Sequence, residues 1–577
     1  MTRSAIDVFQ GEVMPVRKAF VLLVSLSTIA FMAACGGSSG TAPVNPTPPA
    51  SGGNFGNNNL NGTYVFSISG TDANEAPYAM AGTLTANGSG SGCSTKGSVT
   101  AGTLDIASTD TEEFTAPVAR ATFTGSYCIE VDGRGQATVT TNIGAGFPNL
   151  TFDFVMQDTS HGLVIEFDSF GTASGTLDLQ SSGVTPSGPY AFLLSGATYS
   201  SGTSFASAGN FTVGSGGAIS AGAADFNNNA ASVYQDEALT GNVTVSSTTP
   251  STTFSTSAYP DQTFDVFPID STHLKFIEMD ATAVQSGDAF SQTTPTMPVG
   301  TLAFTLSGEL TVNDEPFAAG GFIATDSSGD ITSSSNEDFN EGGTLSPTTP
   351  QSFTGAYAAT TGNAGRYTLS GLSGFTGGTT YAAYPSSGGV LLLEIDSSGA
   401  IAGITTGTAY TQTTGATFAV PAPYGLNLSG LVSSNGSTTE VDDIAAFDSA
   451  SSGTTITGSI DENSALDGPT TYGQALTGTY AIIGGGRGEI VAPPANSTTG
   501  LNTLNGVLDL IFYTVDGSTF PFMEYDTTQI STGVFVAQSA SGSSSAVARA
   551  HAMYVPHPLI HPHGAAQKKG LRAGPYN

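Results

Sequence analysis

Positive charge is scarce in this sequence. Thirteen Lys and Arg stand against 46 Asp and Glu in 577 residues, a net charge of −33 at pH 7. A surface of that sign repels nucleic acid and excludes it as a partner class. Charge of either sign is also sparse, at 10% of residues. Solvent-facing positions therefore fall to Ser, Thr, Asn and Gly, as suits an extracytoplasmic protein. No amphipathic helical pattern follows Cys35. What is plentiful is apolar and strand-forming. The chain is 39% hydrophobic with 33 Phe and 19 Tyr, which excludes a disordered chain. Its 74 Gly, with abundant Thr and Val, point to strands joined by tight turns.

The N-terminus reads as an export leader. Arg17 and Lys18 precede an apolar run over 19–30, then Met32-Ala33-Ala34-Cys35-Gly36. The run is short for a membrane span and stops at the cysteine. Small residues before that cysteine resemble the lipobox of bacterial lipoprotein precursors. The resemblance implies cleavage after residue 34 and acylation of Cys35, a stable anchor when two chains are attached. Gly36, where enteric inner-membrane lipoproteins carry Asp, favours the outer membrane or cell surface. Cys93 and Cys128 are the cysteines left over. The export context predicts a disulfide between them, closing a loop of about 35 residues and contributing roughly 3 kcal/mol.

Residues 36–58 form a Gly/Ser/Pro linker. Beyond it, three motifs recur four times in order. An alternating apolar strand ends in Gly70, Gly196, Gly308 and Gly430. In the middle stand Thr124-Gly125, Thr240-Gly241, Thr354-Gly355 and Thr477-Gly478. A Gly-flanked Arg134, Arg366 or Arg487 follows in all units but the second. Each unit closes on Glu-x-Asp, then Gly, then Gln. These are Glu166, Asp168, Gly175 and Gln180; Glu278, Asp280, Gly287 and Gln292; Glu394, Asp396, Gly407 and Gln412; Glu524, Asp526, Gly533 and Gln538.

The expected fold is all-β: four tandem antiparallel domains of about eight strands, up-and-down barrels that remove sheet edges, with a β-sandwich as the alternative. The units are placed at 59–181, 186–293, 298–413 and 421–539. Residues 1–34 are the signal peptide, 35–58 the lipidated Cys and linker, and 540–577 a disordered tail. The pattern resembles Gly/Ser/Thr-rich tandem-repeat envelope lipoproteins of acidobacterial-type genomes, a resemblance that implies architecture and no activity.

No catalytic, cofactor or metal site is expected. A paired-carboxylate site for glycoside hydrolysis would not be kept in four copies, so Glu-x-Asp reads as structural. Each Glu is expected to pair with its own unit's base: Arg134 with Glu166, Arg366 with Glu394, Arg487 with Glu524, and Lys275 standing in beside Glu278. Acidic stretches around Asp105–Glu113, Asp326–Asp330 and Asn336–Asp338 offer at most weak calcium ligands and read as solvated turns. Gly36-Gly37-Ser38-Ser39-Gly40 mimics a serine-hydrolase elbow without a preceding strand. His161 and His273 read as turn residues. His551, His557, His561 and His563 lie in the tail, where metal would bind only loosely.

The expectation is a non-enzymatic, lipid-anchored envelope protein, its barrels strung as a stalk, with a structural or adhesive role. Its partners are the membrane through Cys35 and then polysaccharide or other envelope proteins. The alternatives are a glycan or small-ligand site in a barrel mouth, or an unrecognised enzyme. Cys35→Ala should abolish palmitate labelling and release or stall the protein; undiminished labelling would sink the lipoprotein reading.

Overall fold

The computed structural model describes residues 54–540, apart from 111–113, 145–146, 229–231, 245–250, 311–314, 397–402, 435–436, 466–467 and 493–507. Cys35, the leader and the histidine-containing tail lie outside the described residues.

Four antiparallel barrels follow one another, over 61–179, 188–291, 300–411 and 423–537. In the first, eight strands pair in sequence order and the last, Gly171–Leu179, returns to the first, Asn61–Asp72. The fourth closes identically, Gln529–Ala537 on Pro423–Ser434. The second and third rings also close, Ala283–Ser291 on Gly188–Thr198 and Gly403–Thr411 on Gly300–Leu310. In the second barrel the fourth strand is broken at Leu239 into Ser232–Ala238 and Thr240–Thr244, both paired to Ala218–Asn228.

The repeated glycines sit where backbones meet most closely. Gly70, Gly196, Gly308 and Gly430 lie opposite Ala173, Gln285, Thr405 and Ser531, the same register in each ring. A methyl group at Gly175, Gly287, Gly407 or Gly533 would meet a carbonyl oxygen of the first strand at 1.8–2.3 Å. No side chain fits there, which explains the motif without any chemistry.

Each barrel is filled by aromatics. Tyr64, Phe66, Tyr78, Phe123, Phe152 and Phe154 fill the first, and Phe418, Tyr424, Phe447, Phe512, Phe520 and Phe535 the fourth. Cys93 and Cys128 are disulfide-bonded, with Cα atoms 4.7 Å apart.

The strand count fixes polarity. With eight strands running up and down, the chain enters and leaves every barrel at one end. That end also carries the turns between strands 2 and 3, 4 and 5, and 6 and 7. The barrels do not form a stalk. They stand side by side, like ends together, and the fourth packs against the first. The physical reason is the outer surface of strands 6–8, which is apolar and needs covering. Ile165 and Phe167 of the first barrel pack with Ile444 and Ala446 of the fourth, Met523 of the fourth packs with Phe322 of the third, and Ile277 of the second packs with Val65 and Ala79 of the first. Leu393 and Ile395 of the third pack with Ala191 and Ala206 of the second.

Candidate functional site

The seams between barrels hold the residues that the repeats share. The closing glutamine of each unit reaches into the next barrel. Gln180 Nε2 donates to Pro268 O at 2.7 Å, Gln292 to Gly365 O at 2.9 Å, and Gln412 to Thr514 O at 2.9 Å. Gln538 donates to Asp132 O and Met156 O, both at 2.9 Å, and so carries the pattern from the fourth barrel back to the first. The glycine of the middle motif makes the space. A Cβ on Gly133, Gly365 or Gly486 would lie 2.3–2.5 Å from the incoming glutamine amide.

The bases do not meet the glutamates expected for them. Arg366 makes a bidentate pair with Asp225 of the second barrel, Nε–Oδ2 2.8 Å and Nη2–Oδ1 2.6 Å. Arg487 does the same with Asp338 of the third, both contacts 2.8 Å. Arg134 contacts Asp132 at 3.0 Å and Asp461 of the fourth barrel at 2.9 Å. Lys275 lies 3.1 Å from Asp288 and 3.4 Å from Asp178 of the first barrel. None of them pairs with Glu166, Glu278, Glu394 or Glu524. The reason is direction: the bases point out of their own barrel, whereas these glutamates point in.

The arginine–aspartate pairs are buried on both sides. Tyr513 OH donates to Asp338 at 2.8 Å, and Tyr384 OH donates to Asp225. Arg134 lies over the Tyr472 ring, 5.1 Å from its centre. The second barrel lacks the middle-motif arginine, and Arg120 of the first takes over at that seam. It contacts Asp105 at 3.8 Å and Asp265 of the second barrel at 3.1 Å, above the Phe267 ring.

Two residues after these aspartates stands an asparagine that belongs to none of the three repeated motifs. Asn227 Nδ2 donates to Glu394 O and Gly403 O at 2.9 and 2.8 Å, and Asn340 to Asp526 O and Gln529 O at 2.7 and 2.9 Å. Asn463 donates to Glu166 O and Gly171 O, both at 2.8 Å. Ala107 holds that place in the first barrel. The signal was present as Asp-x-Asn in three of the four third strands, at Asp225, Asp338 and Asp461. The acidic stretches read as solvated turns need the same correction. Asp105, Glu337 and Asp338 are buried strand residues, while Asp326 caps an exposed turn through the amides of Ser328 and Asp330. Glu112 and Glu113 lie outside the described residues.

The Glu-x-Asp motif splits into two roles. The aspartates cap turns: Asp168 accepts from Thr151 N at 2.6 Å, Asp280 from Thr263 N at 2.5 Å, Asp396 from Thr379 N at 2.6 Å and Asp526 from Gln529 N at 2.8 Å. The glutamates are buried inside the barrels. Glu166 accepts from Tyr78 OH, Glu278 from Gln262 Nε2 at 3.0 Å, and Glu394 from Gly403 N at 2.7 Å. Burial, reinforced by the neighbouring aspartate, pushes Glu166, Glu278, Glu394 and Glu524 well above the carboxylate range. His161 and His273 begin strands and contact Asp158 and Asp288 at 3.1 and 2.5 Å.

No group of three or more His, Cys, Asp or Glu arranged to hold a metal occurs among the described residues. Inside the third barrel the open space among Leu306, Phe353, Phe375 and Tyr381 is about 10 Å³, the room of one water.

No family model matches the chain, and no curated protein matches it. Among solved structures, transferrin binding protein B from serogroup B Neisseria meningitidis is 12% identical, with TM-score 0.19, over 66% of this chain and 84% of that one. A double mutant of transferrin binding protein B from Haemophilus parasuis Hp5 is 9% identical, with TM-score 0.17, over 66% and 83%. Overlays with scores this low carry no argument about fold or function.

Removing one partner of a buried ion pair strands the other charge. Arg487→Ala should therefore cost about 3–5 kcal/mol in denaturant unfolding, against the 0–1 kcal/mol typical of an exposed pair. Adding Asp338→Ala should recover part of that loss. Strict additivity of the two changes would rule out the pair.

Stability should also fall as pH rises. Burial pushes Glu337 up to about 8 and Asp509 up to about 7. A raised carboxyl stabilises the fold while it is protonated in both states. Its contribution is full below about 4.5, the ordinary glutamate value, and is lost as pH climbs through the folded value. The urea midpoint should decline between those limits, and Glu337→Gln should flatten the decline. A midpoint that rises over that interval contradicts the assignment.

Proposed function

We propose that this chain is a lipid-anchored, extracytoplasmic repeat protein without enzymatic activity, presenting a platform of four docked barrels in a structural or adhesive role at the cell envelope. The observation that carries this reading is where the shared residues are used. Gln180, Gln292, Gln412 and Gln538, the bases, and the third-strand aspartates all serve barrel-to-barrel docking. Selection for four copies of such residues is selection for an assembly. The weakly charged Ser/Thr surface suits contact with polysaccharide.

The competing reading, a small ligand or glycan in a barrel mouth, asks for an open lumen of several hundred cubic ångströms. The third barrel keeps about 10 Å³, too little for such a ligand in its lumen. The mature chain, immobilised without its lipid, should retain cell-envelope or extracellular polysaccharide. Failure to retain any, together with an unaltered envelope and unaltered adhesion in a strain lacking the protein, would count against the role.

A further inference from the structure

Six large apolar residues are markedly exposed among the described residues, and five of them share one face of the barrel assembly. Val131 lies in the turn between the fourth and fifth strands of barrel one, and the pair Ile482–Ile483 at the end of the fourth strand of barrel four, Gln474–Gly484, beside the same turn. Val299 and Val420 lie in the connections entering barrels three and four. Their exposures are 44%, 56%, 51%, 60% and 41%. The sixth, Tyr234, begins a fourth strand at the other end and packs against Tyr259.

Up-and-down topology places the turns between strands 4 and 5 at the same end as the entering and leaving connections. Because barrels stand with like ends together, the five residues face one way. Two sets of contacts fix that orientation. Closing glutamines join entry ends to entry ends, as Gln538 does to Asp132 and Met156. Third-strand asparagines join far ends to far ends, as Asn463 does to Glu166 and Gly171.

The same face receives the rest of the chain. Phe55 N donates to Val131 O at 3.4 Å, and Asn59 Nδ2 to Ala540 O at 2.9 Å, so both ends of the described chain emerge there. In the sequence, Cys35 stands 19 positions before Asn54, the first described residue.

We infer that this face lies against a lipid bilayer, with Ile482 and Ile483 entering the boundary between headgroups and acyl chains, while the opposite ends of the barrels point away. Single exposed apolar residues are ordinary; five gathered on the face where both ends of the described chain emerge are not. The net charge of −33 sets the lipid preference: zwitterionic headgroups should be favoured over anionic ones. The inference rests on the proposed anchor for the chain's attachment, and the test keeps the two apart.

The chain contains no Trp, so one introduced residue reports alone. Ile483→Trp and, at the opposite end, Ser200→Trp would be made in the chain beginning at Cys35. Each would be coupled through the Cys35 thiol to a maleimide-bearing lipid in phosphatidylcholine vesicles, Cys93 and Cys128 being held in the disulfide. Brominated acyl chains should quench the indole of Ile483→Trp about twofold and shift its emission to the blue, as for an interfacial indole. They should leave the indole of Ser200→Trp unaffected. Equal quenching of the two variants, quenching of Ser200→Trp alone, or none of either overturns the inference. The chemical tether makes these outcomes independent of whether the cell acylates Cys35. Palmitate labelling reports on that separately.

Discussion

A closed barrel has no free sheet edge, so its strands cannot extend a neighbour's sheet, and beyond single backbone contacts such as Ser181 N to Ile269 O at 2.8 Å and Thr413 N to Val515 O at 2.7 Å it joins that neighbour through side chains. That constraint accounts for the outer surface of this protein. Strand-to-strand pairing cannot hold one barrel to the next. The outer faces of strands 6–8 must be apolar to adhere, and a few directional polar contacts must fix how they meet. Ile165, Ile277, Leu393 and Met523 supply the first. The arginine–aspartate pairs and the glutamine and asparagine amides supply the second. Of the six Lys and Arg among the described residues, all but Lys96 lie between barrels, and that explains why so acidic a chain keeps them. Burying such a pair costs desolvation that its attraction barely offsets. Its value here is register: a bidentate guanidinium accepts one carboxylate in one geometry.

The architecture was legible because each unit repeats its turns and its alternation, and the close backbone contacts at Gly175 and Gly533 left their mark as invariant glycines within the chain. The partners of the charged residues were not legible. Arg134 and Glu166 share a unit, and proximity in the repeat made them the natural pair. Yet alternation on a strand says only that neighbours face opposite ways, not which way is in. In an isolated barrel the apolar face of Ile165 and Phe167 would be the core and Glu166 would face water. Docking buries both faces. The acid goes inside beside Tyr78, and the apolar side chains go to the seam. A sequence with two buried faces per strand carries no internal mark of which belongs to which core, except for signals such as Asp-x-Asn that recur with the docking itself.

The acid content divides in the same way. Much of it is interior, not a solvated coat. Glu166, Glu278, Glu394 and Glu524 occupy equivalent positions, buried and without a cation, and burial pushes their carboxyls well above the usual range.

Open repeat proteins need capping units because their terminal repeats expose the surface that inner repeats bury. This chain has no such ends within its barrels. The interface is heterologous, one face of a barrel against a different face of the next, and heterologous contacts either run on as filaments or close as rings. Here each step turns the next barrel so that the fourth meets the first, and Gln538 finds at Asp132 and Met156 what Gln292 finds at Gly365 and Pro385. Closure also brings the two ends of the described chain together at Asn59 and Ala540, so the seam without a covalent connection is the one where the chain enters and leaves. That seam holds because the other three fix its faces in place, an effective concentration that no pair of free barrels would share.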